Sequence, residues 1–331
     1  MPTVMGAVRS LMMTPSMAEV SFQRRGFPPA PEDVTRRLEA IPQAVICGFE
    51  WGIDVRELWE LERRLELVDP EQRGFAYEGA TMACTVRDAM AGGRGRRTEA
   101  LLRGPGRRHI FLAYIGIGFA MARLPRLLWA RVLPDLPDVP YHPTMSWLAV
   151  DGLGFDRAYF DTPRWVDGQR RPKPYPWDGH PEYFARAWDQ GVGRALWFIH
   201  GGQVPQVVAA VDRFAAARRA DLWSGVGLAA TFAGQCGPDG LAALRRQAGG
   251  HARDLAQGAV FAAKARTWAG TVPAHTEAGV RALADLSADA AGALADDVVV
   301  DSTAPAAEPH YETWRSLVRD RLPVDASLRH G

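Results

Sequence analysis

Residues 218–266 read RRADLWSGVGLAATFAGQCGPDGLAALRRQAGGHARDLAQGAVFAAKAR, and the pattern in this stretch recurs along most of the chain. Two segments with helical character each begin on a glycine and run into alanine and phenylalanine: Gly225-Val-Gly227-Leu-Ala and Gly258-Ala-Val-Phe-Ala. A connection marked by glycine and proline lies between them, followed by a short amphipathic segment with leucines on one side. Helix, turn and helix in this order form a helical hairpin.

The same pattern recurs upstream, where segments open on Gly79, Gly116, Gly152 and Gly191. The six first glycines, from Gly79 to Gly258, follow one another at spacings of 37, 36, 39, 34 and 33 residues. A repeat period of this size is typical of stacked helical hairpins. The sequence therefore predicts an all-α fold with about six repeats of roughly 36 residues, stacked as antiparallel helical hairpins in a TPR-like α-solenoid or a closed helical array.

The distribution of prolines and apolar residues divides the chain into three parts. Residues 1–30 are predicted to form an N-terminal extension that ends in a proline-rich linker, and residues 31–295 the helical repeat domain. Within that domain, residues 161–181 carry five prolines and several aromatic residues, which predicts a long ordered loop over the array. Residues 296–331 are predicted to be a C-terminal tail with one short helix over residues 311–322.

The composition is that of a soluble globular protein: 47% of the 331 residues are hydrophobic, 23% are charged, and the formal net charge is +1. A chain this close to neutrality lacks the basic surface that nucleic-acid binding requires, so no nucleic-acid partner is expected. The longest uncharged apolar run, residues 110–122, is too short to span a bilayer, and no transmembrane segment is expected. The three cysteines form no C-x-x-C motif, which together with the poor match to a signal peptide predicts a cytoplasmic protein.

Familiar catalytic motifs are absent. The eight histidines include no H-E-x-x-H pair, and the chain contains no G-x-S-x-G and no G-x-x-x-x-G-K-[ST] sequence. The paired glycines lie in predicted helices and follow no strand, so they do not form a dinucleotide-binding loop. No metal site is therefore predicted, the cofactor is unknown, and the sequence leaves open whether the protein is an enzyme.

The repeated glycines need a physical reason, because a glycine inside a helix costs roughly 1 kcal/mol relative to alanine. One explanation is that small residues allow neighbouring helices to cross closely. The other is that they leave room for an elongated ligand along the inner face of the array. Both explanations can hold together.

Four acidic residues lie beside the repeat glycines: Glu78, Asp151, Asp189 and Asp221. A carboxylate in the first helical turn can bind free N–H groups and interact with the positive end of the helix dipole. Alternatively, the repeats present these four acids on one concave face, where they act as acid/base groups or stabilise cations. They are therefore candidate catalytic residues.

Basic residues follow the same predicted helices. Arg123, Arg194 and Arg266 either pair with the acids of adjacent repeats in a buried ladder or bind an anionic part of a substrate. Lys264 is one of only two lysines in the chain and is a candidate desolvated amine, although a solvated or ion-paired role is the alternative. His275 is a further candidate catalytic residue, next to the predicted helix N-cap Thr276.

Aromatic residues are a further source of candidates, since the chain has eleven tryptophans and several lie in or next to the repeat motifs. Most are expected in the core. Trp197, Trp223 and Tyr114 are candidate substrate-binding residues, because a tryptophan-lined groove under the proline-rich loop would suit a hydrophobic small molecule.

Several long blocks resemble one family across residues 8–290. RGFAYEGATM (73–82), AYIGIGFAMARLP (113–125), FARAWDQGVGRALWF (184–198) and AQGAVFAAKAR (256–266) are similar to the UnbL-type family (domain of unknown function 1702), which is encoded beside enediyne polyketide synthases in actinobacteria. The resemblance implies a role in antibiotic biosynthesis, acting on a conjugated polyene that the synthase holds or releases. It supplies no catalytic residues to carry over.

Two functional hypotheses follow. The first is an enediyne-polyketide biosynthesis protein that binds a hydrophobic, polyene-derived intermediate and helps to process it; if catalytic, it would be a polyene-modifying or cyclising enzyme. The second is a non-catalytic helical scaffold that binds a partner protein of the same pathway, such as the polyketide synthase. A dry cavity favours the first hypothesis, and an open groove lined by polar residues favours the second.

Overall fold

A computed structural model describes residues 16–92, 96–303 and 306–322. These residues contain helices and no β-strand, so the predicted all-α class is confirmed. The α-helices are α1 (Phe22–Arg25), α2 (Glu32–Asp54), α3 (Leu58–Glu66), α4 (Pro70–Met90), α5 (Arg97–Arg103), α6 (Ile110–Arg123), α7 (Leu148–Phe160), α8 (Phe184–Ile199), α9 (Val204–Asp212), α10 (Ala216–Ala233), α11 (Pro238–Ala248), α12 (Ala252–Ala269), α13 (Ala274–Ala284), α14 (Ala288–Asp297) and α15 (His310–Arg321).

Local sequence signals set several of these helix ends. The Asp69 side chain accepts a hydrogen bond of 2.9 Å from the backbone N–H of Glu71, and Pro70 occupies the first position of α4, where its missing N–H costs nothing. Helix α12 ends at Gly270, whose left-handed backbone (φ 80°) favours glycine. Local residues therefore set the start of α4 and the end of α12.

Seven long helices, α2, α4, α6, α7, α8, α10 and α12, pack side by side in chain order. Neighbouring helices run in the same direction. This is shown by contacts between residues near corresponding ends of the two helices. Arg218 near the start of α10 bonds to Asp189 in the first half of α8 at 2.6 Å. Arg157 near the end of α7 donates to the Ala122 carbonyl near the end of α6 at 2.7 Å.

The marked glycines lie where these helices cross. A Cβ atom on Gly152 of α7 would stand 2.4 Å from the Ile115 carbonyl oxygen of α6, and one on Gly118 of α6 would stand 2.1 Å from the Ala149 oxygen of α7. Equivalent reciprocal contacts join α7 to α8, α8 to α10, and α10 to α12. The predicted close crossings are therefore confirmed, since no larger residue fits without moving a backbone.

The segments between these seven helices are less regular than the helices themselves. Short helices α3, α5, α9 and α11 lie in four of the six connections, but residues 124–147 and 161–183 contain mainly turns, short non-α helices and extended chain. The stacking of regular antiparallel hairpins into an α-solenoid stays a prediction. Near the C-terminal end, α13 and α14 are two separate helices, because α13 ends at Asp285, whose φ is 58°.

Helices that are distant in the sequence also touch across the interior. The rings of Phe75 (α4) and Phe232 (α10) lie 5.4 Å apart, as do those of Phe111 (α6) and Phe261 (α12). From the C-terminal end of the chain, α15 places Trp314 5.6 Å from Phe261. The parallel helices thus surround a common apolar interior. No helix among the described residues combines the length and apolarity needed to cross a bilayer.

Candidate functional site

Two neighbouring cavities occupy this interior. The first has a volume of about 70 Å³ and the second of about 30 Å³. Most of their lining is phenylalanine and aliphatic side chains, with phenylalanines at Phe49, Phe75, Phe119, Phe155, Phe160 and Phe198 in the first and Phe75, Phe111, Phe198, Phe232 and Phe261 in the second. Four residues line both cavities and separate them: Phe75, Glu78, Arg194 and Phe198.

Glu78 is held in place by two helix crossings. A Cβ on its neighbour Gly79 would lie 1.8 Å from the Val45 carbonyl oxygen of α2. On the other side, a Cβ on Gly116 of α6 would lie 2.1 Å from the carbonyl oxygen of Glu78 itself. Because the backbone is packed on both sides, the carboxyl group has a fixed point of attachment and faces the cavities.

The Glu78 carboxyl group is buried without a hydrogen bond or ion pair. The residue is 2% exposed, and none of the hydrogen bonds or ion pairs among the described residues joins its carboxyl to another side chain. Burial, opposed by Arg194 and assisted by Asp151, raises the pKa of Glu78 to about 8. A carboxylic acid in this setting is mostly protonated at neutral pH and can donate a hydrogen bond or a proton.

Arg194 stands beside Glu78, but its charge is already balanced. Its Nη1 donates to Asp151, and its guanidinium lies 4.9 Å from the centre of the Phe155 ring. The Gln190 amide nitrogen also donates to Asp151, at 2.8 Å, and to the Tyr311 hydroxyl, at 2.9 Å. Burial raises the pKa of Asp151, while Arg194 and Gln190 oppose this change. The structure thus brings together the predicted residues Glu78, Asp151 and Arg194.

The other two predicted acids are buried in ion pairs away from the cavity linings. Asp189 accepts bonds of 2.6 and 2.9 Å from Arg218. Asp221 accepts bonds of 3.0 Å from Arg186 and 2.7 Å from Arg315. These pairs connect neighbouring helices, as the buried-ladder alternative expects, and Asp151 alone of the three aspartates lies in a first helical turn.

Two predicted arginines lie on different sides of the cavities. Arg123 lines the first cavity and pairs there with Asp156. Arg266 packs 4.0 Å from the centre of the Phe232 ring and donates to the carbonyl oxygens of Glu71 (2.8 Å) and Phe232 (3.1 Å). Burial lowers the pKa of Arg266 to about 10. Arg123 is therefore the more accessible of the two to a molecule in the first cavity.

Lys264 and His275 line neither cavity. The Lys264 Nζ bonds to Asp296 at 2.7 Å and lies 5.0 Å from the Trp268 ring centre, and burial lowers its pKa. His275 donates from Nε2 to the Phe232 carbonyl oxygen at 3.0 Å, and burial lowers its pKa as well. Lys264 belongs to α12 and His275 to α13, and both lie outside the cavity linings that include Glu78.

The predicted aromatic binding residues also lie outside the two cavity linings. Trp197 donates from Nε1 to the Gly234 carbonyl oxygen at 3.0 Å, and the Tyr114 hydroxyl lies 2.7 Å from Nδ1 of His142. Trp223 is a buried core residue. No tryptophan and no residue of 161–181 lines either cavity. That segment packs on the flank of α8 instead, with Trp165 4.8 Å from Trp188.

Sequence reasoning missed the phenylalanines that form the walls. Phe119 and Phe155 directly follow the second glycine of their repeats, Gly118 and Gly154. A residue that follows a glycine at a close crossing is carried toward the side of the helix next to that crossing. The recurring Gly-Phe pair was the signal that could have found them.

Comparisons with known proteins give a family and no characterised relative. The model of a family described as "Protein of unknown function (DUF1702)" matches residues 4–322. Neither the curated proteins nor the solved structures include a match. Among the described residues, no group of three or more His, Cys, Asp or Glu side chains is arranged to hold a metal ion.

Proposed function

The chain belongs to the DUF1702 family, and we propose that it binds an elongated, apolar small molecule of the conjugated polyene type in its two interior cavities. The observation that supports this proposal is a buried carboxyl group, unpaired among the described residues, at the junction of two phenylalanine-lined cavities. A few fixed polar groups in a concave apolar site are typical of small-molecule binding. The pathway we propose is the biosynthesis of an enediyne polyketide, in which such a polyene is an intermediate.

Glu78 would be the reactive group toward the bound molecule. As a neutral acid it can donate a hydrogen bond to a carbonyl oxygen on a conjugated chain, which draws electrons along the chain. If the proton moves to the ligand, the carboxylate that remains lies beside Arg194. Asp151 and Gln190 hold Arg194 in position, so the proposed acid has a fixed neighbour that stabilises its charged form.

A long ligand would bind only if the two cavities were joined into one continuous space. Phe75 and Phe198 form the partition together with Glu78 and Arg194, and a change of rotamer at the two rings would open it. Aromatic side chains change rotamer without breaking hydrogen bonds, whereas Arg194 is tied to Asp151. A conjugated chain would then pass the Glu78 carboxyl at its middle rather than at its end.

The proposal is tested by titrating the protein with a conjugated tetraene fatty acid, whose fluorescence increases in apolar surroundings. We expect saturable binding that is lost when Ala229, on the wall of the second cavity, is enlarged by Ala229→Phe. The matched control is Ala210→Phe, which enlarges a buried alanine of α9 outside both linings. Absence of binding at millimolar concentration in the wild-type protein, or equal loss in both folded variants, would contradict the proposal.

A second experiment tests whether Glu78 also transfers a proton to the bound molecule. With a pathway polyene as substrate, Glu78→Gln should bind with nearly unchanged affinity but lose turnover, because glutamine keeps the shape and cannot transfer a proton. Co-purification of the wild-type chain with pathway proteins, without any binding of the polyene, would favour the scaffold alternative instead.

A further inference from the structure

Two arginines pack against one aromatic ring in the wall of the first cavity; Arg123 also lines the cavity, whereas Arg25 contacts the ring without lining it. Phe160 lines the cavity there, and the guanidinium carbons of Arg25 and Arg123 lie 5.3 and 5.4 Å from the centre of its ring. Arg25 also donates from Nη2 to the Phe160 carbonyl oxygen at 2.6 Å. The two cations are therefore neighbours, even though 98 residues separate them in the chain.

Arg25 has no ion-pair partner among the residues that the structure describes. No described carboxylate lies within 4.0 Å of its guanidinium, and its Nε is buried without a hydrogen-bond partner. Glu39 of α2 accepts a bond of 2.7 Å from the backbone N–H of Phe22 and forms no ion pair with Arg25 among the described residues. A partly buried cation without a partner is costly unless an anion joins it.

Arg123 has donors to spare. A guanidinium carries five N–H groups, and among the described residues the single hydrogen-bond partner of Arg123 is Asp156, which bonds to its Nη1. The remaining nitrogens are not sealed in the core, and the residue lines the cavity. Arg25 and Arg123 carry two positive charges beside the Phe160 ring, and Asp156 balances one of them.

We propose that this part of the first cavity binds the carboxylate of the ligand, so that the molecule held in the cavities is an apolar chain with a free carboxylic acid head. Arg25 and Arg123 would each donate to one or both carboxylate oxygens at the edge of the Phe160 ring, and the chain would run inward past Glu78. Arginine suits this task because its planar N–H groups match a carboxylate. This inference rests on the proposed function and adds the chemical class of the head group.

The test compares a conjugated tetraene fatty acid with its methyl ester at neutral pH, because the ester has the same chain without the charge. We expect the wild-type protein to bind the acid at least about tenfold more tightly than the ester, as charge-assisted hydrogen bonds require. Arg25→Gln should reduce that preference to about threefold or less, while Arg25→Lys should retain part of it. Arg24→Gln, an exposed neighbour outside the site, should leave it unchanged.

The possible results distinguish a failure of the carboxylate site from a failure of the proposed function. If acid and ester bind the wild-type protein equally well, the carboxylate site is wrong while the apolar cavity is still a binding site. If the preference survives in a folded Arg25→Gln and in Arg123→Gln, the site is also wrong. If neither compound binds, the proposed function itself fails. The wild-type comparison needs no variant, so a variant that does not fold still leaves a decisive result.

Discussion

Glu78 is the residue at which stability and function conflict most directly. A glutamate that is 2% exposed and has no hydrogen-bonded partner is destabilising compared with an apolar residue of the same size. Its pKa near 8 has the same physical cause, because the apolar walls disfavour the charged form. Acids shifted in this way concentrate at sites that handle protons or bind polar atoms.

The raised pKa of Glu78 predicts how unfolding free energy depends on pH. The folded value, about 8, lies above the ordinary value of 4.5, so the folded state binds the proton more tightly than the unfolded chain. The stability is therefore fully present below pH 4.5 and is lost as the pH rises toward 8. The loss from this one group should reach about 4 kcal/mol near pH 8, at about 1.4 kcal/mol per pKa unit.

Glu78→Gln removes this titration and serves as its own control. Denaturant unfolding between pH 5 and 8 should show the variant gaining on the wild-type protein as the pH rises, because other titrating groups cancel in the difference. Curves that stay parallel across this range would show that Glu78 titrates normally in the folded protein.

Arg315 tests the buried ion pairs that lie behind the cavities. It is 0% exposed and bonds to Asp221 at 2.7 Å and Glu312 at 2.9 Å, while Arg186 contacts the same two acids with a side chain that is 40% exposed. Arg315→Met should cost about 3–5 kcal/mol of unfolding free energy, since it leaves buried carboxylates under-compensated. Arg186→Met is the matched control and should cost about 1 kcal/mol. Similar small losses from both would contradict this role.

Part of this site could be read from the sequence. Acids and arginines beside the repeat glycines were predicted to meet between helices, and Asp151–Arg194 does so. The sequence could not predict that Glu78 lacks an ion pair while the three aspartates have one. This difference depends on which arginine reaches which carboxylate. Arg218 and Arg315 satisfy Asp189 and Asp221, and Arg315 comes from a helix 94 residues beyond Asp221.

At the level of helices, the glycines were informative because each has a steric reason that the sequence repeats. Gly118, Gly152, Gly191 and Gly225 all stand at crossings where a methyl group would overlap a backbone oxygen. The connections were harder to predict. Residues 124–147 return the chain without a full α-helix, and nothing in the period of the glycines indicates what lies between two of them.

Gly225→Ala tests the crossing of α8 and α10. The added Cβ would lie 1.9 Å from the Gln190 carbonyl oxygen and 2.7 Å from the Arg194 nitrogen, and no rotamer change can relieve contacts with a backbone. Alanine favours a helix by roughly 1 kcal/mol, but this gain is smaller than the cost of separating two helices. We expect a net loss of about 2 kcal/mol in denaturant unfolding.

The matched control is Gly250→Ala, at an exposed glycine where a Cβ would meet nothing within 4 Å. Its effect should stay within about 0.5 kcal/mol. If both substitutions are tolerated equally, the close approach of α8 and α10 is not required for folding.

The helices form an interior whose two cavities are separated in part by the rings of Phe75 and Phe198, and this arrangement depends on contacts between residues far apart in the chain. The Phe75–Phe232 and Phe111–Phe261 pairs join helices that the glycine pattern places several repeats apart. Local periodicity does not specify such contacts, which is why sequence reasoning expected tryptophans at the walls and missed the phenylalanines.

Phe75→Ala tests whether the partition controls the size of the ligand. Removing this ring should destabilise the free protein by about 3–5 kcal/mol, and it should also join the two cavities permanently. A long conjugated fatty acid should then restore stability, by about 2.7 kcal/mol when its concentration is a hundred times its dissociation constant. Phe214→Ala removes a ring that is 1% exposed and lines neither cavity, so its loss should not be recovered by the ligand. Thermal unfolding with and without ligand measures both, and equal behaviour of the two variants would show that the cavities do not bind the chain.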